Sequence, residues 1–166
     1  MRLVLPLVAA LLTSGALATT CAWQPFAAAS KAAPLIVEAR VLRYGGTSGD
    51  PPTPDYMDVQ VLNTLKGRAP TKELRVYGDN GGSGRRFVSG YPVGTTWMLA
   101  LTRDFDHWPV KDRRPQVYAF PSCADPGLAV IGDTVFGTLG EPFNSSRPRQ
   151  FFLQELQYVW KHPLGR

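Results

Sequence analysis

Histidine and cysteine are scarce in this chain of 166 residues, which offers only His107, His162, Cys21 and Cys123. A thiol or hydroxyl nucleophile needs a base beside it, and neither histidine is close in sequence to a candidate. Ser122, Ser145 and Ser146 also lack a G-x-S-x-G context. With no assembled acid, base or nucleophile, an enzyme is not expected. Phosphate-binding chemistry is missing too. In "GDNGGSGRR", Arg85 and Arg86 stand where Lys-Ser/Thr would have to follow Gly84, so the stretch reads as a mobile hairpin loop. "RDFDHWP" gathers Asp104, Asp106 and His107, but a calcium loop needs glycine at its sixth position and Pro109 is there. A polar loop with a partly buried Trp108 is expected instead, and no metal or cofactor.

Long apolar runs are equally rare. Leu3 to Leu12 is too short for a bilayer, which needs about 20 apolar residues, and no later segment approaches that length, so no transmembrane segment is expected. With Arg2 before it and Ala16-Leu17-Ala18 after it, the run reads as an export signal over residues 1–18, leaving a mature chain from Thr19. The remaining roughly 150 residues suffice for one domain with a core. Periplasmic or extracellular location follows as an expectation.

Cys21 then has three readings. As a lipid anchor it is a poor match, because Ala18 and Thr20 occupy positions that favour Leu and a small Gly, Ala or Ser. As a nucleophile it has no base. As half of a disulfide it needs Cys123 and an oxidising compartment, and closing a loop of about 100 residues would contribute about 4 to 5 kcal/mol in the chain-entropy description.

Positive charge exceeds negative, 18 Lys and Arg against 13 Asp and Glu, by one less once Arg2 leaves. Lys66, Arg68, Lys72 and Arg75, the pairs Arg85-Arg86 and Arg113-Arg114, and Arg147 with Arg149 suit an anionic envelope polymer or an acidic protein partner. They equally suit a solvated exterior. Nucleic acid is not expected as a partner of an exported chain.

Periodicity supplies the elements. Leu35, Val37, Ala39 and Val41 alternate with Glu38 and Arg40, the period of two that puts one strand face in a core. Met57, Val59 and Val61 give a second strand ending at Lys66-Gly67, and Leu74 with Val76 a third. "GGTSGDPPTP" between the first two is a loop. "TTWMLAL" reads as a central strand, "QVYAF" as a fifth, and "LAVIGDTVFG" as a hairpin turning at Gly132-Asp133. Phe152, Leu156, Val159 and Trp160 recur at helical spacing between Pro148 and Pro163. Arg149, Glu155 and Lys161 are expected to stay in water. Short strands followed by a helix predict a mainly β protein: a small five-stranded barrel over 19–125, a hairpin extension over 126–145 and a C-terminal helix over 146–162.

In order, "TTCAWQPF", an Ala-rich helix candidate from Phe26 to Ala33, "LIVEARVL", "DVQVLNTLKG", "ELRVY", a loop, "VGTTWMLAL" and Cys123 resemble the netrin-like OB barrel of tissue inhibitors of metalloproteinases and their small exported bacterial relatives. The resemblance covers about Thr19 to Cys123. The family's Cys-x-Cys is reduced here to Cys21, and its loop cysteine is absent from "GDNGGSGRRF"; the pair that survives this double loss is Cys21 with Cys123. The resemblance also implies a role for Thr19, whose α-amine and carbonyl would chelate the zinc of a target peptidase, while the Thr20 side chain would enter its specificity pocket. A binding module follows, with Thr19, Thr20, Arg85 and Arg86 as partner-binding residues and a protein as partner, for which the resemblance implies a zinc peptidase inhibited by the chain. The alternative is a binder of anionic oligosaccharide that stacks sugars on Tyr77, Trp97 or Trp108.

Overall fold

The computed structural model describes residues 21–79, 81–105, 112–140 and 145–161. A short helix α1 (Phe26–Ala32) precedes β1 (Leu35–Gly45), β2 (Tyr56–Lys66) and β3 (Glu73–Tyr77). After a 3-10 turn at Val88–Gly90 come β4 (Thr96–Leu101), β5 (Val117–Ala119), β6 (Gly127–Ile131), β7 (Thr134–Gly137), β8 (Ser145–Pro148) and the helix α2 (Arg149–Lys161). The strands form one open, mixed sheet of eight in the order β5-β3-β2-β1-β4-β6-β7-β8, with β3 and β5 parallel and the other ladders antiparallel.

The expected five-stranded barrel needs correction, because no closed barrel forms. The hairpin β6-β7 is no appendage: β6 pairs with β4 from Thr96↔Val130 to Leu99↔Gly127. That occupies most of the edge of β4 that closure onto β5 would require. What remains is a single antiparallel bridge past the end of β4, where Thr102 and Ala119 exchange two backbone hydrogen bonds of 2.9 Å.

Two apolar layers follow from strand alternation. Val37 and Ala39 of β1 and Leu99 and Leu101 of β4 join Val59, Val76 and Phe120 in an inner cluster. Ile36, Met98 and Ala100 point the other way, onto Phe26 of α1 and Phe152 and Leu156 of α2. This is why "TTWMLAL" is apolar on both faces. Helix α2 begins one residue after Pro148, which belongs to the edge strand β8 and not to the first helical turn. Arg149 is not wet as expected: its guanidinium pairs with the buried carboxylate of Glu38, and its N–H donates to the Asp133 carbonyl. Glu155 and Lys161 are exposed.

Candidate binding site

Cys21 is fixed by a disulfide to Cys123, 102 residues away, with the Cα atoms 5.1 Å apart. No cysteine is free, so no Sγ is left for lipid or nucleophilic chemistry. The Cys123 N–H donates to the Gly84 carbonyl at 2.8 Å, the Gln24 N–H to the Cys123 carbonyl at 2.9 Å, and the Asp125 N–H to the Gln24 carbonyl at 2.8 Å. Three segments therefore meet at the bridge: the stretch before α1, the loop after β3 and the stretch after β5. Gly84 permits the approach. Its φ is +64°, and a Cβ would lie 2.8 Å from the Cys21 Sγ, so any side chain would be both strained and in collision.

The loop read as mobile is anchored. One Asp79 carboxylate oxygen accepts from the N–H groups of Gly81, Gly82 and Ser83 and from the Ser83 hydroxyl. Burial alone would push the Asp79 carboxyl up, but these donors together outweigh it and hold it below the usual range. Arg85 and Arg86, adjacent in an extended stretch, point opposite ways. Arg85 is 3% exposed, and donates from Nε to the Phe120 carbonyl at 2.7 Å and from Nη2 to the Asp104 carbonyl at 2.9 Å. Burial pushes its guanidinium down, opposed by the charges of Asp104 and Asp79. Arg86 faces solvent, 4.2 Å over the ring of Trp23, and pairs with Asp125. Of the two arginines expected to bind a partner, the fold presents Arg86 and spends Arg85 on the loop.

Arg86 and Asp125 also form one side of an open cleft of about 670 Å³. Its floor is the continuation of the sheet's inner face past β4. Trp97, Ala129, Phe136 and Ser146 are successive register partners across β4, β6, β7 and β8, and all four line the cleft. On the opposite face Met98, Leu128 and Val135 lie under the helices, so one face of this half-sheet is covered and, among the described residues, the other is not. Tyr91 packs under the cleft, with ring centroids 4.6 Å from Trp97 and 4.8 Å from Phe120. A Cβ on Gly127 would lie 2.6 Å from the Tyr91 ring and 3.2 Å from its hydroxyl, so glycine at that position leaves room for the phenol edge. Burial pushes the Tyr91 phenol up, with Arg86 lowering and Asp125 raising it.

Tyr77, another expected stacking surface, lies elsewhere, on β3 beside the ring of Tyr56 at 5.3 Å. There Arg75 covers the Tyr56 ring and shares Asp58 with Arg43, at 2.9 and 2.8 Å. Arg114 is likewise held by Asp112, and Lys66 by the Ser30 and Lys31 carbonyls. Much of the basic charge is thus matched internally. Thr19, Thr20, Asp106, His107 and Trp108 lie outside the described residues, and among those described no group of three or more His, Cys, Asp or Glu side chains could hold a metal. Sequence reasoning missed Asp125, Phe136 and Tyr91; the only signal was alternation in "TVFG", which puts Phe136 opposite the buried Val135. Compared with known proteins, the chain matches no family model, no curated protein and no solved structure.

Proposed function

We propose that this chain is an exported, disulfide-tied binding module and not an enzyme, and that it engages a protein partner through the surface around the Cys21–Cys123 bridge. In this reading β1 to β5 are an open, OB-like arrangement of the netrin type, and the partner is a zinc peptidase met by Thr19 and Thr20. The parallel placement of β5 beside β3 and the Thr102–Ala119 bridge support the OB-like part. The observation that carries the function is the anchoring of Cys21. The bridge, three backbone hydrogen bonds and the Trp23–Arg86 stack hold the chain rigidly two residues beyond the expected mature start, and a chelating terminus needs that preorganisation.

The test is a panel of zinc peptidases assayed with chain beginning at Thr19. Inhibition at micromolar concentration is expected. An extra Ala before Thr19 moves the α-amine by roughly one residue length, about 3.5 Å, and should abolish inhibition at unchanged stability. A panel left uninhibited, or equal inhibition by the extended form, would remove the peptidase reading. Salt-sensitive retention on polyanions in its place would favour the anionic polymer.

A further inference from the structure

We infer that the cleft between the Arg86–Asp125 pair and the uncovered face of β6 and β7 is a subsite for one or two rings of a neutral oligosaccharide. The inference rests on the binding-module reading but not on the amino-terminal wedge. Trp97 and Phe136 stand two strands apart in one register row, about 10 Å between backbones, with only Ala129 between them. The row is therefore a slot with aromatic sides and a small floor, and Phe136 is 39% exposed in it. The C–H groups on one face of a pyranose carry partial positive charge and rest favourably on the negative face of an aromatic ring.

Polar groups converge at one end. Tyr91, 6% exposed, supports that end from beneath Gly127, and the cleft itself is lined there by Arg86 and Asp125. Arg86 adds donors, and Asp125 an acceptor. A sugar hydroxyl both donates and accepts, and only such a mixed set satisfies it. The charge argues for a neutral ligand, because Asp125 already neutralises Arg86 and among the described residues no other charged side chain lines the cleft. The volume of about 670 Å³ falls within the range of small-ligand clefts, roughly 300 to 1,000 Å³.

The experiment titrates the mature chain with cellotriose, maltotriose and tri-N-acetylchitotriose, and with a sulfated tetrasaccharide as the anionic comparison, read by tryptophan fluorescence and amide NMR shifts. At least one neutral trisaccharide should saturate and shift the amides of Trp97, Ala129 and Phe136, with affinity unchanged between about 50 and 500 mM salt. Phe136→Ala, a change at a half-exposed site, should weaken binding by about tenfold or more, and Arg86→Ala by roughly three- to tenfold. Circular dichroism checks that both variants fold. Absence of saturation by every neutral trisaccharide, undiminished binding by Phe136→Ala, or salt-sensitive binding of the sulfated sugar alone would overturn the inference. Sugar binding without peptidase inhibition would leave the cleft standing and remove the wedge; inhibition without sugar binding would do the reverse.

Discussion

Asp79 shows how one side chain can decide the behaviour of a loop. Its carboxylate gathers three backbone N–H groups and a hydroxyl, tying the exposed Gly81 and Gly82 and the buried Ser83 to one oxygen. Because the folded state holds this carboxyl below its usual pKa, the charged form favours folding above the ordinary carboxylate pKa, about pH 4. The contribution is lost as pH falls below that value towards the depressed folded pKa. Asp79→Asn keeps an acceptor but loses the charge. The variant should be less stable at pH 7 by on the order of 1 to 2 kcal/mol, and its stability should fall less than that of the parent between about pH 4 and 2. Urea titrations at the two pH values measure both. None of this was readable in "GDNGGSGRR", whose glycines and serine suggest only flexibility; the order comes from one carboxylate turned inward. Arg85 and Arg86 teach the same lesson, since neighbours with the same chemistry end in opposite environments.

Among the elements, α2 followed its sequence closely. Phe152 and Leu156, four residues apart, are buried against Phe26 and the outer face of the sheet, and the Trp160 indole N–H donates to the Ser30 hydroxyl at 3.1 Å. Leu156→Ala should therefore cost about 2 to 5 kcal/mol. Tyr158→Ala, on the exposed side, should stay within about 0.5 kcal/mol of the parent. Equal effects in thermal melts would mean that the helix does not pack in solution as described. Alternation found β1 to β3, because a half-buried strand writes its burial into every second residue, while β4 was read from a run apolar on both faces and β6 and β7 from the turn at Gly132-Asp133. It could not find β8. Ser145–Pro148 holds no apolar residue, and it is a strand only because β7 offers Thr134 to Gly137 as partners. The start of α2 was misplaced for the same reason: Pro148 fits a first helical turn until pairing with Thr134 claims it for β8.

For the domain as a unit, the disulfide is the covalent constraint, joining the segment before α1 to the stretch after β5 across 102 residues. Cys123→Ala should cost about 2 to 5 kcal/mol, read by urea unfolding without reductant, and adding reductant to the parent should reproduce most of that loss. A smaller shift would mean that backbone pairing at Gln24 and Gly84 already holds the terminus. The pairing of the two cysteines was legible in the sequence because the chain has just two thiols, behind an apolar leader read as an export signal, and an oxidising compartment would pair them. The strand types, the turn at Gly132-Asp133 and the amphipathic helix were legible too, since period and turn chemistry are local properties. Whether the sheet closed was not. That depended on β6 and β5 competing for the same edge of β4, a contest among segments spread from Thr96 to Ile131 that no local pattern records. The cleft has the same origin. An open sheet leaves the inner face of β6 and β7 without a covering layer among the described residues, and so places Trp97, Phe136 and Tyr91 beside Arg86 and Asp125, residues that the sequence scatters over fifty positions and only folding makes neighbours.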